Sequence, residues 1–164
     1  MLTVQDVGGK NYVDVSKKVT TYIPERNNFV VGIIKAKVGD NYLVDINAPV
    51  DGVLGNLEFD GASKKNKPNL NTGDIVFARI AEYSKFIGAK LSCINTGYSA
   101  KNVLNVLKDG MIVYGLRGKE KLIEEKITVI KDYCKFEVAF GKNDILWFSC
   151  SEVKTEMILY NMFL

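Results

Sequence analysis

The sequence predicts a mainly β protein with an α+β end: a short N-terminal β segment, a five-stranded Greek-key barrel, then a mixed α/β segment. Three observations carry that reading. Residues 29–95 hold five runs rich in β-branched residues, punctuated by Gly, Asp and Asn. Their connections are short turns, except for one basic loop that falls before the fourth run. From residue 98 the texture changes, and apolar residues recur near helical spacing around further strand runs.

The elements follow in order. The head, residues 1–27, reads as one or two short strands, Lys10–Val15 and Lys18–Ile23, before the break Pro24-Glu25-Arg26-Asn27. Phe29–Asn47 contains two runs separated by Gly39-Asp40-Asn41, a hairpin signal. Gly52–Phe59 follows the turn Ala48-Pro49-Val50-Asp51, and Asp74–Ser84 and Gly88–Asn95 complete the five. Such an order, with a long connection before the fourth strand, fits an OB barrel. Lys101–Lys108 is ambiguous and leads to a strand at Met111–Tyr114. Leu116, Leu122, Ile123, Ile127 and Ile130 predict helix over 116–131. The β-branched Ile127-Thr128-Val129-Ile130 predicts a kink there, or two short helices. Lys135–Phe140 and Ile145–Cys150 bracket Gly141-Lys142-Asn143-Asp144 as a hairpin, with Asn143 and Asp144 suited to positive φ. Ser151 reads as the N-cap of a last amphipathic helix whose apolar residues are Val153, Met157, Ile158 and Met162.

Composition narrows the chemistry. Hydrophobic residues make up 47% and charged residues 25%, as in an ordinary globular protein. No apolar run reaches about 18 residues and the start lacks a signal pattern, so an intracellular protein without a membrane partner is expected. Histidine is absent, which excludes His triads and His-ligated metals. Cys93, Cys134 and Cys150 stand apart with no CxxC and read as small apolar residues rather than a zinc site. No carboxylate cluster suits a metal, so neither a cofactor nor a metal is expected. The net charge of +3 is too small to argue for a polyanion by itself, so any electrostatic case rests on clustering.

Three stretches in order, "VGIIKAKVGDNYLVDI", "GASKKNKPNLNTGDIVFARI" and "AFGKNDILWF", resemble RNA exosome cap subunits of the Rrp-forty kind. The resemblance runs from about Tyr22 to the last residue. It implies an N-terminal β segment over 1–27, an OB barrel of the ribosomal-protein-S-one type over 28–97 and a K-homology domain over 98–164. It further implies a non-catalytic subunit in nucleus, nucleolus and cytoplasm. Such a subunit would stabilise a ring of nuclease-like subunits, contact other cap subunits and line the entrance for single-stranded RNA. Two other readings stand beside it: a ring-independent RNA chaperone built on the same barrel, and a carboxylate-metal nuclease.

Lys64, Lys65 and Lys67 cluster in the long loop; they are either solvated charges or contacts to RNA phosphates. Lys35 and Lys37 lie two apart on the first barrel strand and Arg79 lies on the fourth, so all six are candidates for one basic rim. The second and third barrel strands offer only Tyr42 for base stacking, where packing is the commoner role. Gly115-Leu116-Arg117-Gly118 has the letters of a G-x-x-G clamp but falls at a strand-to-helix junction. Gly141-Lys142-Asn143-Asp144 carries an acid where the family has its final glycine, which disfavours phosphate. Gly141, Asn143 and Trp147 are therefore expected to serve the hairpin and a domain interface.

Overall fold

The computed structural model describes residues 3–7, 10–14, 22–95 and 104–163, the first two spans as backbone only. β1 (Thr3–Val7) and β2 (Lys10–Asp14) form an antiparallel hairpin. Most of the strand expected at Lys18–Ile23 lies outside the described residues, as does the boundary expected near residue 98.

The barrel consists of β3 (Phe29–Val38), β4 (Asn41–Asp45), β5 (Gly52–Phe59), β6 (Ile75–Ser84) and β7 (Gly88–Cys93). β3 pairs with β4, β4 with β5 and β6 with β7, all antiparallel, while β5 runs parallel to β7. An antiparallel pairing of β6 with β3 closes the cylinder. Inward positions follow the two-residue period of a pleated strand, so Val30, Ile34, Val44, Leu54, Val76, Ile80 and Leu91 meet in one core. β8 (Asn105–Leu107), from the ambiguous stretch, adds to the start of β6.

The C-terminal part carries β9 (Met111–Val113), α1 (Glu120–Lys131), β10 (Phe136–Phe140), β11 (Leu146–Cys150) and α2 (Val153–Phe163). Its strands form an antiparallel sheet in the order β10-β11-β9. The helices bury Ile123, Ile127, Ile130, Leu159 and Phe163 against Val113, Leu146 and Phe148. Among the described residues no helix is long and apolar enough to cross a membrane.

The structure corrects four local expectations. α1 is one continuous helix through its β-branched stretch rather than two short ones. The propensity cost of such residues is at most about 0.7 kcal/mol each; burying Ile127 and Ile130 outweighs it at about 1.5–3 kcal/mol per side chain. It also begins at Glu120 rather than residue 116, because Gly115 and Gly118 adopt φ of 76° and 74°. α2 begins at Val153 and buries Leu159 and Phe163, leaving Val153, Met157, Ile158 and Met162 exposed. Ser151 lies outside it; the Cys150 N–H donates to the Glu156 carboxylate at 2.9 Å instead. The Phe163 ring sits 5.4 Å from that of Phe148, which fixes the helix's inward face.

Candidate nucleic-acid interface

The basic loop is held at its exit and projects at its tip. Beyond Lys67 the chain is tied to the barrel: the Tyr42 hydroxyl donates to the Pro68 carbonyl at 3.3 Å and accepts from the Leu70 N–H at 3.2 Å. The Gly73 N–H then donates to the Ile34 carbonyl and the Ile34 N–H to the Asp74 carbonyl, each at 2.8 Å. Upstream, Ser63 and Asn66 bond to each other's backbone in a tight turn. Lys64, Lys65 and Lys67 stand exposed on the segment between these anchors. Lysine heads presented this way suit phosphate neutralisation without base readout.

The six cations do not form one rim. β3 is bulged between Ile34 and Ala36, so Lys35 and Lys37 do not follow simple alternation. Lys35 pairs with Asp51 at 3.0 Å, with side chains 49% and 40% exposed, a contact worth about 0–1 kcal/mol. The Lys37 ammonium lies 5.8 Å from the centroid of the Tyr42 ring, the ring that anchors the lysine loop. Lys37 therefore belongs with the loop lysines. Arg79 does not. It sits opposite Phe29, six residues along β3 from Lys35 or roughly 20 Å, and donates to Asn27 Oδ1 at 3.2 Å.

Tyr42 is buried, and its hydroxyl is engaged with the loop. It cannot offer a face for base stacking, and its role in tethering the loop was not visible in the sequence. Among the described residues the most exposed aromatic is Phe86, 98% exposed in the β6–β7 turn. Only its place in a short Lys-Phe-Ile-Gly turn hinted at that.

The β10–β11 hairpin is a clasp between the two halves of the molecule. Gly141 lies so close to β3 that a Cβ would stand 2.7 Å from the Val31 nitrogen. Asn143 is fully buried; its side-chain oxygen accepts from the Val31 N–H at 3.2 Å, and its amide donates to the carbonyls of Val31 (2.7 Å) and Ile46 (2.9 Å). The Lys142 N–H adds a bond to the Phe29 carbonyl at 2.7 Å. Trp147, 2% exposed, packs with the barrel core, and its indole N–H donates to the Asp109 carbonyl at 2.8 Å. Of the two residues expected to take positive φ, Asp144 does so (62°) and Asn143 does not. Its conformation is set by the three bonds its side chain makes to the barrel.

The geometry of a closed barrel with an exposed lysine loop can be set beside known proteins. Residues 22–104 match the family model described as exosome complex component RRP40, S1 domain. The exosome complex component RRP40 of Saccharomyces cerevisiae is 34% identical over 155 residues, 91% of this chain and 64% of the relative. That of Drosophila melanogaster is 37% identical over 145 residues, 85% of this chain and 62% of the relative. The chain thus spans a little under two thirds of these relatives' length. A solved crystal structure described as an exosome complex RNA-binding protein superposes with a TM-score of 0.62 at 23% identity. That match covers 86% of this chain and 82% of the other and bears on the fold alone. Because the family match takes in the whole barrel, from Tyr22 to Leu104, this chain belongs to the family of the exosome complex component RRP40 S1 domain.

Proposed function

We infer that the chain is a non-catalytic RNA-binding subunit of an exosome cap, one that touches single-stranded RNA through the phosphate backbone. The observation that carries this reading is the lysine loop: three exposed ammonium groups on a segment pinned to the barrel by Tyr42 and β3, inside the domain that the family shares. Lys64, Lys65 and Lys67, with Lys37 beside the anchor, offer exposed ammonium groups to a phosphate chain. Released counterions would supply most of the affinity.

The finer parts follow from the same reading. The subunit helps line the RNA entrance for 3′-to-5′ processing and degradation, steadies the ring of nuclease-like subunits, and works in nucleus and cytoplasm. Its segments are 1–27, the barrel over 28–97 and a K-homology domain over 98–164. The order β9–α1–β10–β11–α2 supports that last assignment. Bond cleavage is left to other chains.

The test is RNA affinity of the native assembly as a function of salt. Replacing Lys64, Lys65 and Lys67 with alanine is expected to reduce the slope of log K against log salt by about 2, at about 0.7 per phosphate contact on a single strand. An unchanged slope makes these lysines ordinary solvated charges. A monomer with tight RNA affinity and no co-purifying nuclease-like subunits favours the chaperone. Magnesium-dependent cleavage by the isolated chain overturns the non-catalytic role.

A further inference from the structure

The pocket beside Lys67 differs in chemistry from the lysines next to it. It holds about 280 Å³ between the end of β5, the lysine loop and the start of β8. Phe59, Ala62 and Pro68 give it an apolar wall, and Asn66 and Asn105 stand exposed along it. Its charged lining residues are Lys67 and Asp60, one of each sign. Both Asp60 oxygens accept from Asn95: Oδ1 from its N–H at 3.2 Å and Oδ2 from its side-chain amide at 2.6 Å. That amide also donates to the Leu104 carbonyl at 2.9 Å, and Asn95 Oδ1 accepts from the Leu104 N–H at 2.7 Å. Asn95 thus joins the residue after β5 to the residue before β8, and so ties together two walls of the pocket. Asn66 bonds through its backbone, in the turn with Ser63, and Asn105 Oδ1 accepts from the Val106 N–H at 2.8 Å. Among the described residues the Asn66 side-chain amide and the Asn105 Nδ2 have no partner.

We propose that this pocket is a subsite for one unstacked nucleobase of the strand whose phosphates the loop lysines hold, an inference that rests on the RNA-binding role given above. Asn66 and Asn105 meet the base edge, Phe59, Ala62 and Pro68 pack on the ring, and Lys67 takes the phosphate of the same nucleotide. Single-stranded RNA is read in this way, by hydrogen bonds to the edges of splayed bases. A phosphate in the pocket itself is a poorer fit: it offers only acceptors and would meet the Asp60 carboxylate. A base is neutral, offers donors and acceptors together and carries a flat apolar ring, which matches amides, an apolar wall and balanced charge. Lys64 and Lys65, the two residues between Ser63 and Asn66, lie on the same turn and place the neighbouring phosphates beside the opening.

The test compares a mixed-sequence RNA strand with a strand of equal length built from abasic ribonucleotides, each bound to the native assembly. Asn66→Ala combined with Asn105→Ala should weaken the base-bearing strand at least about fivefold, the low end for one base contact, and hold the abasic strand within about twofold. The salt slope should not move, because neither residue carries charge. An unchanged abasic affinity also shows that the loop and barrel are intact in the variant. Strands carrying 4-thiouracil, irradiated on the unsubstituted assembly, should form adducts at Phe59, Pro68 or Asn105. Equal weakening of both strands, no weakening of the base-bearing one, or no adduct at those three residues overturns the subsite and leaves the phosphate contacts standing. Replacing the three loop lysines should weaken both strands; if it weakens neither, the RNA-binding reading fails and the subsite with it.

Discussion

Replacing Asn143 with alanine should be among the most damaging single changes to this fold. The side chain is fully buried and acts as a short piece of strand, satisfying both the N–H and the carbonyl of Val31 together with the carbonyl of Ile46. Truncation removes three hydrogen bonds and strands three backbone groups away from solvent. Each bond contributes about 1 kcal/mol net, and each buried group left unpaired costs about 1–3 kcal/mol. Carbonyls tolerate the loss better than an N–H, so the sum is about 3–5 kcal/mol. That is a large part of the ~5–15 kcal/mol that holds a typical domain together. Urea unfolding followed by far-UV dichroism and by fluorescence of Trp147, the chain's single tryptophan, measures it. Because Trp147 sits at the same seam, its transition should move to lower urea first and separate from the dichroism transition. Asn143→Asp provides the control. It keeps the volume but sets a carboxylate against two carbonyls, so hydrogen bonding predicts that it is at least as harmful as alanine, whereas a packing account predicts that it is milder. A loss under about 1 kcal/mol for alanine, or a clearly milder aspartate, would refute the clasp.

Two further outcomes follow from the same geometry. Tyr42→Phe keeps the buried ring and removes the hydroxyl shared by Pro68 and Leu70. It should cost about 1–2 kcal/mol, speed hydrogen exchange at the Leu70 amide and weaken RNA binding without altering the barrel's dichroism. Burial raises the Asp144 carboxyl above the usual range; Arg117 opposes the rise and Glu120 adds to it. A raised carboxyl supports the fold when protonated, and that support is lost as pH climbs through its folded value. Asp144→Asn, which tolerates the same φ of 62°, should therefore raise the urea midpoint at neutral pH. The gain should shrink towards zero as pH falls through the ordinary carboxylate range.

The barrel was legible because its information is local. β-branched runs, a Gly-Asp-Asn turn and one long connection specify strand order and inward positions without reference to the rest of the chain. The helices were legible in existence but not in facing. Val153, Met157, Ile158 and Met162 look like a buried stripe by composition, yet Leu159 and Phe163 turn inward, because the contact between Phe163 and Phe148 is made across the fold. The basic rim failed for a related reason. Where Arg79 stands relative to Lys35 depends on the register of β6 against β3 and on a bulge at Lys35, and neither leaves a mark at the positions themselves.

The hairpin Gly141-Lys142-Asn143-Asp144 shows how letters and chemistry can part. A loop that clamps a nucleic-acid backbone needs N–H groups facing outward and no charge to repel phosphate. Here the Lys142 N–H is taken by the Phe29 carbonyl, the Gly141 N–H by that of Ile145 and the Asp144 N–H by that of Gly141, while the Asn143 side chain is held by Val31 and Ile46 and Asp144 adds a carboxylate. Three of the loop's four backbone N–H donors are thus already engaged with the barrel and with the hairpin itself. The 61–76 loop is in the opposite situation: its exit, at Pro68, Leu70, Gly73 and Asp74, is tied to the barrel by Tyr42 and Ile34, and the lysines before it keep their charged ends outside. The same folding contacts thus remove one candidate for holding RNA and present the other, which is why the two loops can be told apart only once the strands between them are paired.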